Sequence, residues 1–395
     1  MTLIGLAYNQ KPEPTELASP LPEGGRQEDG ELPRPDEEPP SRIVGRAVAE
    51  LIARDQFAEW DNPATISAVE SALSPLGKVV RLEATDDFPE KLRKAKPDIV
   101  FNIAEGWNGV NREAHVPAIC EFYGIPYSGS DPFTLTLCLD KARTKETLLF
   151  NGVPTPKFAV VRKLADLPAA RKKLSLPLFV KPLHEGSSKG ITDSNLCQDR
   201  DQLETQVRFL LENYRQPVIV EEYLPGKEFT CAVLGNGEEA TVLPIVGMNF
   251  ETLPDGALPI YSFDAKFVWD QPDNPLDIFE CPARITNELH ASIERVTLDA
   301  FRVLGCCDWA RIDVRLDANG TPNVLEVNPL PGILPDPAEN SCLPKAARAA
   351  GIGYDELIQS CLRFAAARQG VKLDRAGKPP GAARRRRALA ATGQA

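Results

Sequence analysis

The sequence predicts an α/β (α+β) protein in which a parallel sheet comes first and two further units of mixed helix and strand follow. A chain of 395 residues with 43% hydrophobic content can bury a large core and form two or three domains. Helical and strand patterns alternate between residues 65 and 102, which is typical of a parallel sheet. The second half holds longer alternating segments, such as Glu228–Leu234 and Trp309–Leu316. These three observations predict a globular fold built from several sheets.

The N-terminal elements follow in order. The apolar residues 2–8 predict a short buried strand. The stretch 11–40 is rich in Pro, Glu, Asp and Gly, and we expect an inserted mobile loop there. Apolar side chains at helical spacing run from Thr65 to a stop at Gly77. Strands are predicted at Lys78–Leu82 and Pro97–Asn102, so strand and helix alternate through this unit.

The other two units have their own predicted elements. The second unit starts near Asp140, and its predicted elements are a helix ending near Gly152, strands at 157–161 and 178–181, a helix from Asp201 and a strand at Val218–Glu222. The third unit runs from about Gly226 to Arg368, and its predicted strands are Glu228–Leu234, Trp309–Leu316 and Asn323–Val327, with a closing helix.

The charge balance argues against nucleic acid as a partner. The formal net charge is -11 and the isoelectric point is about 5.1, so the chain as a whole repels phosphate backbones. One basic run, Arg384–Arg387, lies between Gly-, Pro- and Ala-rich stretches near the C-terminus. Such a run is typical of a solvated, disordered tail.

Cysteine and histidine usage points to a reducing compartment without a zinc site. The nine cysteines are an odd number without CxxC spacing, which favours buried thiols over a disulfide framework. Three histidines in all leave little for a histidine-based metal centre. We see no signal peptide and no run of ~20 apolar residues that would span a membrane. We therefore expect a soluble cytoplasmic protein.

A lysine followed by a Gly/Ser turn is the first candidate for binding phosphate. Lys181 lies at a predicted strand end, and the turn Glu185–Gly190 follows it. The backbone N–H groups and two hydroxyls of such a turn can face phosphate oxygens while the lysine supplies positive charge. A Walker A motif is absent from the sequence. On this pattern alone, an ordinary surface loop remains an alternative.

Two predicted strands carry charged side chains at a spacing of two. Arg311, Asp313 and Arg315 share one face of the first strand, and Glu326 and Asn328 share one face of the next. If the strands pair, two carboxylates and a carboxamide oxygen come together, which suits Mg²⁺ bound to nucleotide phosphates. Arg311 would offset negative charge beside them. A surface hairpin with a cross-strand charge pair is the alternative.

Five motifs in one order resemble the D-alanine–D-alanine ligase family of ATP-grasp enzymes. They are Lys181 with Glu185-Gly-Ser-Ser-x-Gly190, Glu221-Glu222-Tyr223-Leu224 with Glu228-Phe-Thr230, Tyr261-Ser-Phe-Asp-Ala-Lys266-Phe267, Arg311-Ile-Asp313, and Glu326-Val-Asn328-Pro-x-Pro331-Gly332. The resemblance covers about residues 41–368. It implies a Rossmann-like parallel-sheet domain at 1–135, a central ATP-grasp subdomain at 136–225 and a C-terminal one at 226–370. The composition adds the mobile insert at about 11–40 and a disordered basic tail at 371–395. The two subdomains would sandwich ATP.

The resemblance also implies residue roles. The nucleotide would be contacted by Lys141, Lys181, Glu185, Ser187, Ser188, Glu221, Glu222, Tyr223, Leu224, Glu228 and Lys266. Within this set, Lys266 would reach the transferred phosphoryl group, and Glu228 the ribose hydroxyls. Two Mg²⁺ ions, or Mn²⁺ in their place, would be held by Asp313, Glu326 and Asn328. Arg311 and the backbone at Gly332 would stabilise the acyl phosphate and the tetrahedral intermediate, and Ser341 would contact the second substrate's carboxylate.

Three departures from the family pattern concern the substrates. The family's N-terminal His-Gly-Gly turn and its substrate-binding glutamate are not recognisable, and Glu59 or Asp61 is the nearest match for the glutamate. Glu105-Gly106 stands where the family has His-Gly. Phe267 replaces a tyrosine that would join Ser187 and the N-terminal glutamate in a hydrogen-bonded set, and Tyr261 begins the same substrate-facing segment. The lost hydroxyl resembles members that make depsipeptides, although simple core packing also explains a phenylalanine.

The resemblance therefore implies an ATP- and Mg²⁺-dependent ligase. It would activate a carboxylate as an acyl phosphate and join it to an amino acid or small peptide, with D-alanyl-D-alanine synthesis for cell-wall peptidoglycan as the most specific version. The alternatives are a carboxylate–amine, peptide or depsipeptide ligase of specialised metabolism, and a non-catalytic ATP-binding protein. The expected partners are small molecules and, by family analogy, a second copy of the chain.

Overall fold

The computed structural model describes residues 1–12, 57–254, 257–262, 265 and 276–374. The predicted insert at 11–40 lies outside the described residues except for Lys11 and Pro12. Two predicted site residues, Lys266 and Phe267, also lie outside them.

The bounds of the elements are as follows, numbered in chain order within the described residues. The strands β1 to β13 are Leu3–Tyr8, Lys78–Glu83, Ile99–Asn102, Phe158–Val161, Leu178–Pro182, Leu196–Cys197, Val218–Glu222, Glu228–Leu234, Thr241–Val242, Val246–Met248, Phe279–Glu280, Trp309–Leu316 and Pro322–Asn328. The helices α1 to α10 are Pro63–Leu73, Phe88–Ala95, His115–Tyr123, Pro132–Leu139, Lys141–Phe150, Leu167–Arg171, Arg200–Tyr214, Asn287–Val303, Cys342–Ala349 and Tyr354–Gln369.

The first sheet is parallel and has the order β2-β1-β3. Parallel strands need a crossover, and α1 and α2 provide the two connections along the chain. The start of α1 is fixed by Asn62, whose side chain accepts a hydrogen bond from the Thr65 N–H at 2.8 Å. The parallel sheet predicted for the N-terminal unit is confirmed.

The other two sheets are antiparallel. The four-stranded sheet has the order β4-β7-β5-β6, and α7 packs against it through its buried face. The six-stranded sheet has the order β11-β10-β8-β12-β13, with β9 paired to β8. Helix α8 covers this sheet with Ile293, Ala300 and Phe301, all of them buried. The predicted α/β (α+β) class with a parallel sheet followed by further mixed units is confirmed.

The C-terminal helix α10 returns to the N-terminal sheet. Gln359 of α10 donates to the backbone oxygen of Ala72 at 2.9 Å, at the end of α1. The predicted tail begins at residue 371, but residues 371–374 pack against the rest of the chain in this structure. Leu373 is buried in the core, and the Asp374 carboxylate accepts a hydrogen bond from the Thr2 N–H at 2.8 Å. The basic run itself lies outside the described residues.

No helix within the described ranges has the length and apolar character needed to cross a bilayer. The nine cysteines, all of them within the described residues, form no disulfide bonds.

Candidate active site

A cavity of about 550 Å³ is lined by strands of the two antiparallel sheets and by loop residues of the N-terminal region, such as Glu105 after β3. The predicted site residues within the described chain all line it, and they are Glu59, Asp61, Glu105, Lys141, Lys181, Glu185, Ser187, Ser188, Glu221, Glu222, Tyr223, Leu224, Glu228, Tyr261, Arg311, Asp313, Glu326, Asn328, Gly332 and Ser341. The structure thus brings together residues that are up to 282 positions apart, Glu59 and Ser341. A cleft of this size with convergent charged groups is the usual form of a small-molecule site.

Strands β12 and β13 form one wall of the cavity. They pair antiparallel with Arg311 opposite Asn328 and Asp313 opposite Glu326, so the predicted pairing is confirmed. Because residues directly opposite each other point to the same face, all four side chains line the cavity. A bulge follows Asp313 in this register.

Asp313 lies at the centre of this wall. Its Oδ2 is 3.0 Å from the Arg311 guanidinium, and the hydroxyl of Thr230 donates to its Oδ1 at 2.6 Å. Thr230 stands opposite Asp313 on β8, on the other side of β12. Burial raises the pKa of Asp313, and this effect exceeds the opposing one of Arg311.

Glu326 is the second carboxylate of the wall, and three cations surround it. Its Oε2 is 3.7 Å from Lys141 Nζ, and its Oε1 is 3.8 Å from the Arg311 guanidinium. Burial raises the pKa of Glu326, but Lys141, Lys181 and Arg311 outweigh burial and lower that pKa to about 2. Glu326 is therefore ionised at neutral pH.

These carboxylates fit a hard metal ion. Two carboxylates and the oxygen of the Asn328 carboxamide offer only oxygen ligands, and the Asn328 side-chain N–H donates to Asp313 Oδ2 at 3.4 Å. Within the described residues, no three His, Cys, Asp or Glu side chains converge as a metal cage. Mg²⁺ is commonly held by one or two carboxylates plus substrate phosphates, and the wall matches that smaller donor set.

Glu221 is held between two lysines on the opposite wall. Lys181 Nζ and Lys145 Nζ each lie 3.0 Å from one of its carboxylate oxygens, and all three side chains are buried. Phe179 of β5 is paired with Glu221 of β7. Lys181, two residues after Phe179, is therefore the diagonal neighbour of Glu221 on the same face of the sheet. Burial opposes protonation of Lys181, but Glu221 and Glu326 outweigh it and raise the pKa of Lys181. Lys181 therefore remains a cation inside the cavity.

The carboxylate of Glu221 is engaged by Lys145 and Lys181, and it positions these two cations. Its contact with the nucleotide stays a prediction. Glu222 is the last residue of β7, and its carboxylate accepts a hydrogen bond from the Ser175 N–H at 3.2 Å. The segment Glu222–Leu224 lines the cavity where the strand ends.

Arg315 organises the next part of the wall. Its guanidinium donates to Glu228 at 2.8 Å and to the Tyr223 hydroxyl at 2.7 Å, and it also binds the backbone oxygen of Pro259 at 3.0 Å. Its guanidinium carbon lies 4.8 Å from the centre of the Tyr223 ring. Glu228 and Tyr223, two predicted nucleotide contacts, are thus fixed by one buried arginine.

The Gly/Ser turn lies across the cavity. Ser187 and Ser188 have φ values of 49° and 58°, a left-handed conformation that turns the chain sharply. The Ser188 hydroxyl donates to the backbone oxygen of Tyr261 at 2.9 Å, which ties the turn to the six-stranded half of the site. Lys141 donates from below to the backbone oxygen of Glu185.

Glu59 joins the turn to the N-terminal region. Its carboxylate lies 2.7 Å from Lys189 Nζ and 3.0 Å from the Arg112 guanidinium. A Cβ at Gly186 would lie only 2.4 Å from Glu59 Oε1, so glycine permits this approach. Burial raises the pKa of Glu59, but Arg112 and Lys189 outweigh it and lower that pKa to about 2. We call Glu59, Arg112, Glu185 and Lys189 the ionic latch.

Ser341 is committed to its own loop. Its hydroxyl donates to the Gly332 oxygen at 3.1 Å and accepts from the Leu334 N–H at 3.2 Å. The predicted contact with a substrate carboxylate would compete with these bonds. In this structure Ser341 shapes the backbone at Gly332.

Four important side chains of the site are missing from the sequence-based set. Lys145 follows Lys141 by four residues on α5, a spacing that places both on one helix face and could have revealed it. Lys189 follows Glu185 by four residues within the turn motif. Thr230 depends on its register opposite Asp313, and Arg112 depends on the tertiary approach of Glu59. Thr230 stands in the motif Glu228-Phe-Thr230 without a predicted role, and Arg112 has no local signal.

The chain is similar to known proteins in both sequence and fold. A family model described as D-ala D-ala ligase C-terminus matches residues 149–363. A D-alanine–D-alanine ligase from Xanthomonas axonopodis pv. citri is 37% identical over 265 residues, covering 66% of this chain and 76% of that protein. An uncharacterised protein of Sinorhizobium fredii is 38% identical over 268 residues, covering 68% and 74%. The crystal structure of D-alanine–D-alanine ligase from Bacillus anthracis complexed with ATP superposes with a TM-score of 0.62 at 22% identity, covering 94% and 99%.

Proposed function

The chain belongs to the D-alanine–D-alanine ligase family of ATP-dependent carboxylate–amine ligases, and we propose that it activates an amino acid carboxylate and joins it to an amino acid or peptide acceptor. The observation that carries the proposal is the cavity wall of Arg311, Asp313, Glu326 and Asn328 facing buried Lys181. Carboxylates for metal, cations for phosphate and an arginine among them are the groups that phosphoryl transfer to a carboxylate requires.

The chain's own residues position and neutralise charge. Lys141 and Lys181 are buried side chains that supply positive charge to the cavity, and Glu221 keeps Lys181 protonated. The Gly/Ser turn closes over the phosphates, and the segment Glu222–Leu224 is the better candidate for contacting adenine. Arg311 offsets the charge that develops when the phosphorylated carboxylate is attacked by the second substrate. The part predicted for Lys266 lies outside the described residues and stays a prediction.

Magnesium belongs to the same proposal. Bound Mg²⁺ would neutralise phosphate charge, and Asp313, Glu326 and Asn328 are the residues that would hold it, with Mn²⁺ as a substitute. We expect the double variant Asp313→Asn with Glu326→Gln to need at least 10-fold more Mg²⁺ for half-maximal activity. A Mg²⁺ titration of phosphate release measures this, with the exposed Glu204→Gln as the control. An unchanged half-saturation point in the double variant would remove these residues from the metal site.

The substrates divide the proposal into two versions. The narrow version is synthesis of D-alanyl-D-alanine for the cell wall, in line with the name of the Xanthomonas relative. The second version is a ligase for other amino acids or peptides, including depsipeptide formation. The N-terminal end of the cavity favours the second version, because the latch occupies Glu59 with Arg112 and Lys189 and leaves it without a free oxygen for an amino group.

The test is phosphate release from Mg-ATP by the purified protein across D- and L-amino acids, dipeptides and D-lactate, with mass spectrometry of the products. D-alanine-dependent release with the dipeptide as product supports the narrow version. Release with another substrate supports the second version. ATP binding without release under every condition would contradict the ligase and favour a non-catalytic ATP-binding protein.

Two features of the cellular form stay proposals. A cytoplasmic location is supported by nine free thiols. A homodimer is supported by exposed aromatic side chains of the N-terminal region, Phe122 and Phe133, which are 82% and 72% exposed. Light scattering of the purified protein gives the oligomeric state.

A further inference from the structure

Three carboxyl side chains meet at the N-terminal end of the cavity. Asp61 lies two residues after Glu59, a member of the ionic latch. Glu105 follows strand β3, and Glu113 lies in a short 3₁₀ helix before α3. All three line the cavity. We call them the acidic trio.

Three cations lower the pKa of Glu113, namely Arg112, Lys141 and Lys189, and each is already engaged elsewhere. Lys141 donates to the backbone oxygen of Glu185 and lies 3.7 Å from Glu326. Arg112 and Lys189 are shared between Glu59 and Glu185, with the contacts to Glu185 at 3.7 and 3.5 Å. Two cations therefore match two carboxylates within the latch. Lys11 also lines the cavity, but its side chain is exposed to solvent. The acidic trio has no cation of its own among the residues that the structure describes.

Glu113 is the member that most clearly requires a partner. Its side chain is only 9% exposed and lines the cavity, yet it takes part in no hydrogen bond or ion pair within the described chain. A buried carboxyl without a partner is costly, and buried charges are normally paired. The space into which Glu113 faces is the space a substrate would enter.

All three carboxyl groups of the acidic trio also have raised pKa values. Burial raises the pKa of Asp61 to about 7, and burial with the charge of Glu59 raises the pKa of Glu113 to about 7 against the effect of Arg112. Burial and the neighbouring charges of Glu113 and Glu59 raise the pKa of Glu105. A positive group entering this space would relieve all three.

We propose that the substrate bound at this end carries a second basic group besides its α-amino group, and that Glu105 and Glu113 bind it. The inference rests on the proposed ligase function and specifies its substrate class as a diamino acid or a peptide with a basic residue. A single ammonium group compensates one carboxylate and leaves the rest of the trio buried without a partner. When one proton is shared within the trio, its three carboxyl groups carry two negative charges. Two ammonium groups on the substrate balance these two charges.

The test compares substrates of the same shape that differ in one charge. Ornithine and norleucine form one matched pair, and 2,4-diaminobutyrate and norvaline form another, each as D and L isomers. Phosphate release and product masses are measured with each, as kcat/KM. We expect the basic member to be preferred at least 10-fold, because a buried charge pair in a small-molecule site exceeds the effect of a methyl group. Calorimetric binding of both members to the protein with a non-hydrolysable ATP analogue gives a readout independent of turnover.

The variants Glu113→Gln and Glu105→Gln should bring the ratio of basic to neutral kcat/KM toward one. Glu90→Gln removes an equal charge from an exposed site of the same region and should keep the wild-type ratio. Turnover of neutral amino acids with no preference for basic ones would overturn this inference and leave the ligase intact. Absence of phosphate release with every amino acid and peptide would overturn the ligase and this inference together. A preference that survives in both Gln variants would assign the basic group to other residues.

Discussion

Among single residues, Arg311 has the charge with the most direct chemical use. It lies 3.0 Å from Asp313 and 3.8 Å from Glu326, at the wall where phosphoryl transfer is proposed. We expect Arg311→Ala to keep the Kd for ATP within about 3-fold and to lower kcat by roughly 10²-fold or more, because the charge is needed at the acyl phosphate. Nucleotide titration and steady-state phosphate release measure the two quantities.

The control for Arg311 is Arg208→Ala, which removes an exposed guanidinium paired with Glu204 and should leave both quantities unchanged. If Arg311→Ala turned over at the wild-type rate, Arg311 would have no place in the chemistry. A loss of ATP binding equal to the loss of kcat would instead assign Arg311 to nucleotide binding.

The acidic trio also makes stability depend on pH. The pKa values of Asp61 and Glu113 are raised to about 7 in the folded chain, whereas free carboxyls titrate near 4. The folded state therefore binds more protons between about pH 4 and 7, and its stability falls as pH rises through that window. We expect the ligand-free protein to lose on the order of 5 kcal/mol between pH 5 and 8, about half from each carboxyl, measured by urea unfolding at both pH values.

The latch carboxylate Glu59 has the opposite sign. Its pKa is lowered to about 2, so its stabilisation is present above about pH 4 and does not change between pH 5 and 8. The double variant Asp61→Asn with Glu113→Gln should reduce the pH dependence, with the contribution of Glu105 remaining. A wild-type protein that is more stable at pH 8 than at pH 5 would contradict the burial of these carboxyls.

At the level of elements, the ionic latch joins the Gly/Ser turn to the N-terminal region. We expect Lys189→Met to free the turn, which raises the ratio of phosphate released to product formed by about 10-fold because water then reaches the activated carboxylate. Phosphate and product are quantified in the same reaction. The exposed Lys172→Met is the matched control.

Gly186→Ala gives an independent test of the latch. Its added Cβ would push against Glu59 Oε1, so it should raise the same ratio without removing any charge. If both variants kept the wild-type ratio of phosphate to product, the latch would be structural only and the turn would close by other contacts.

The sequence predicts helices and strands whose apolar side chains repeat at a regular spacing. It predicts the part of the site whose residues lie on one strand or on two neighbouring strands. Strand β12 and its partner β13 follow from alternation alone, and their pairing brings Asp313 and Glu326 together as expected. The commitment of Glu221 to two lysines could not be foreseen, because Lys145 reaches it from helix α5 through tertiary packing. The packed residues 371–374 were likewise hidden, since their partner Thr2 is 372 residues away from Asp374.

At the level of the whole molecule, Asp308 connects parts that are distant in the chain. It is fully buried, and its carboxylate accepts from the Gly129 N–H, from the Asn236 side chain and from the Arg368 guanidinium, each at 2.9 Å. Gly129 follows the parallel sheet, Asn236 follows β8 of the six-stranded sheet, and Arg368 belongs to α10. One side chain thus couples the N-terminal sheet to the catalytic wall.

We expect Asp308→Ala to lower the free energy of unfolding by about 2–4 kcal/mol, because it leaves two donors and the partly exposed Arg368 guanidinium without their acceptor. Tryptophan fluorescence should then change before circular dichroism in a urea titration, since Trp60 and Trp107 report on the N-terminal region that the variant releases. Arg302→Ala, which breaks the more exposed pair with Glu238, should cost less than about 1 kcal/mol. Coincident transitions and a small loss in Asp308→Ala would mean that the large buried core alone holds the sheets in register around the site.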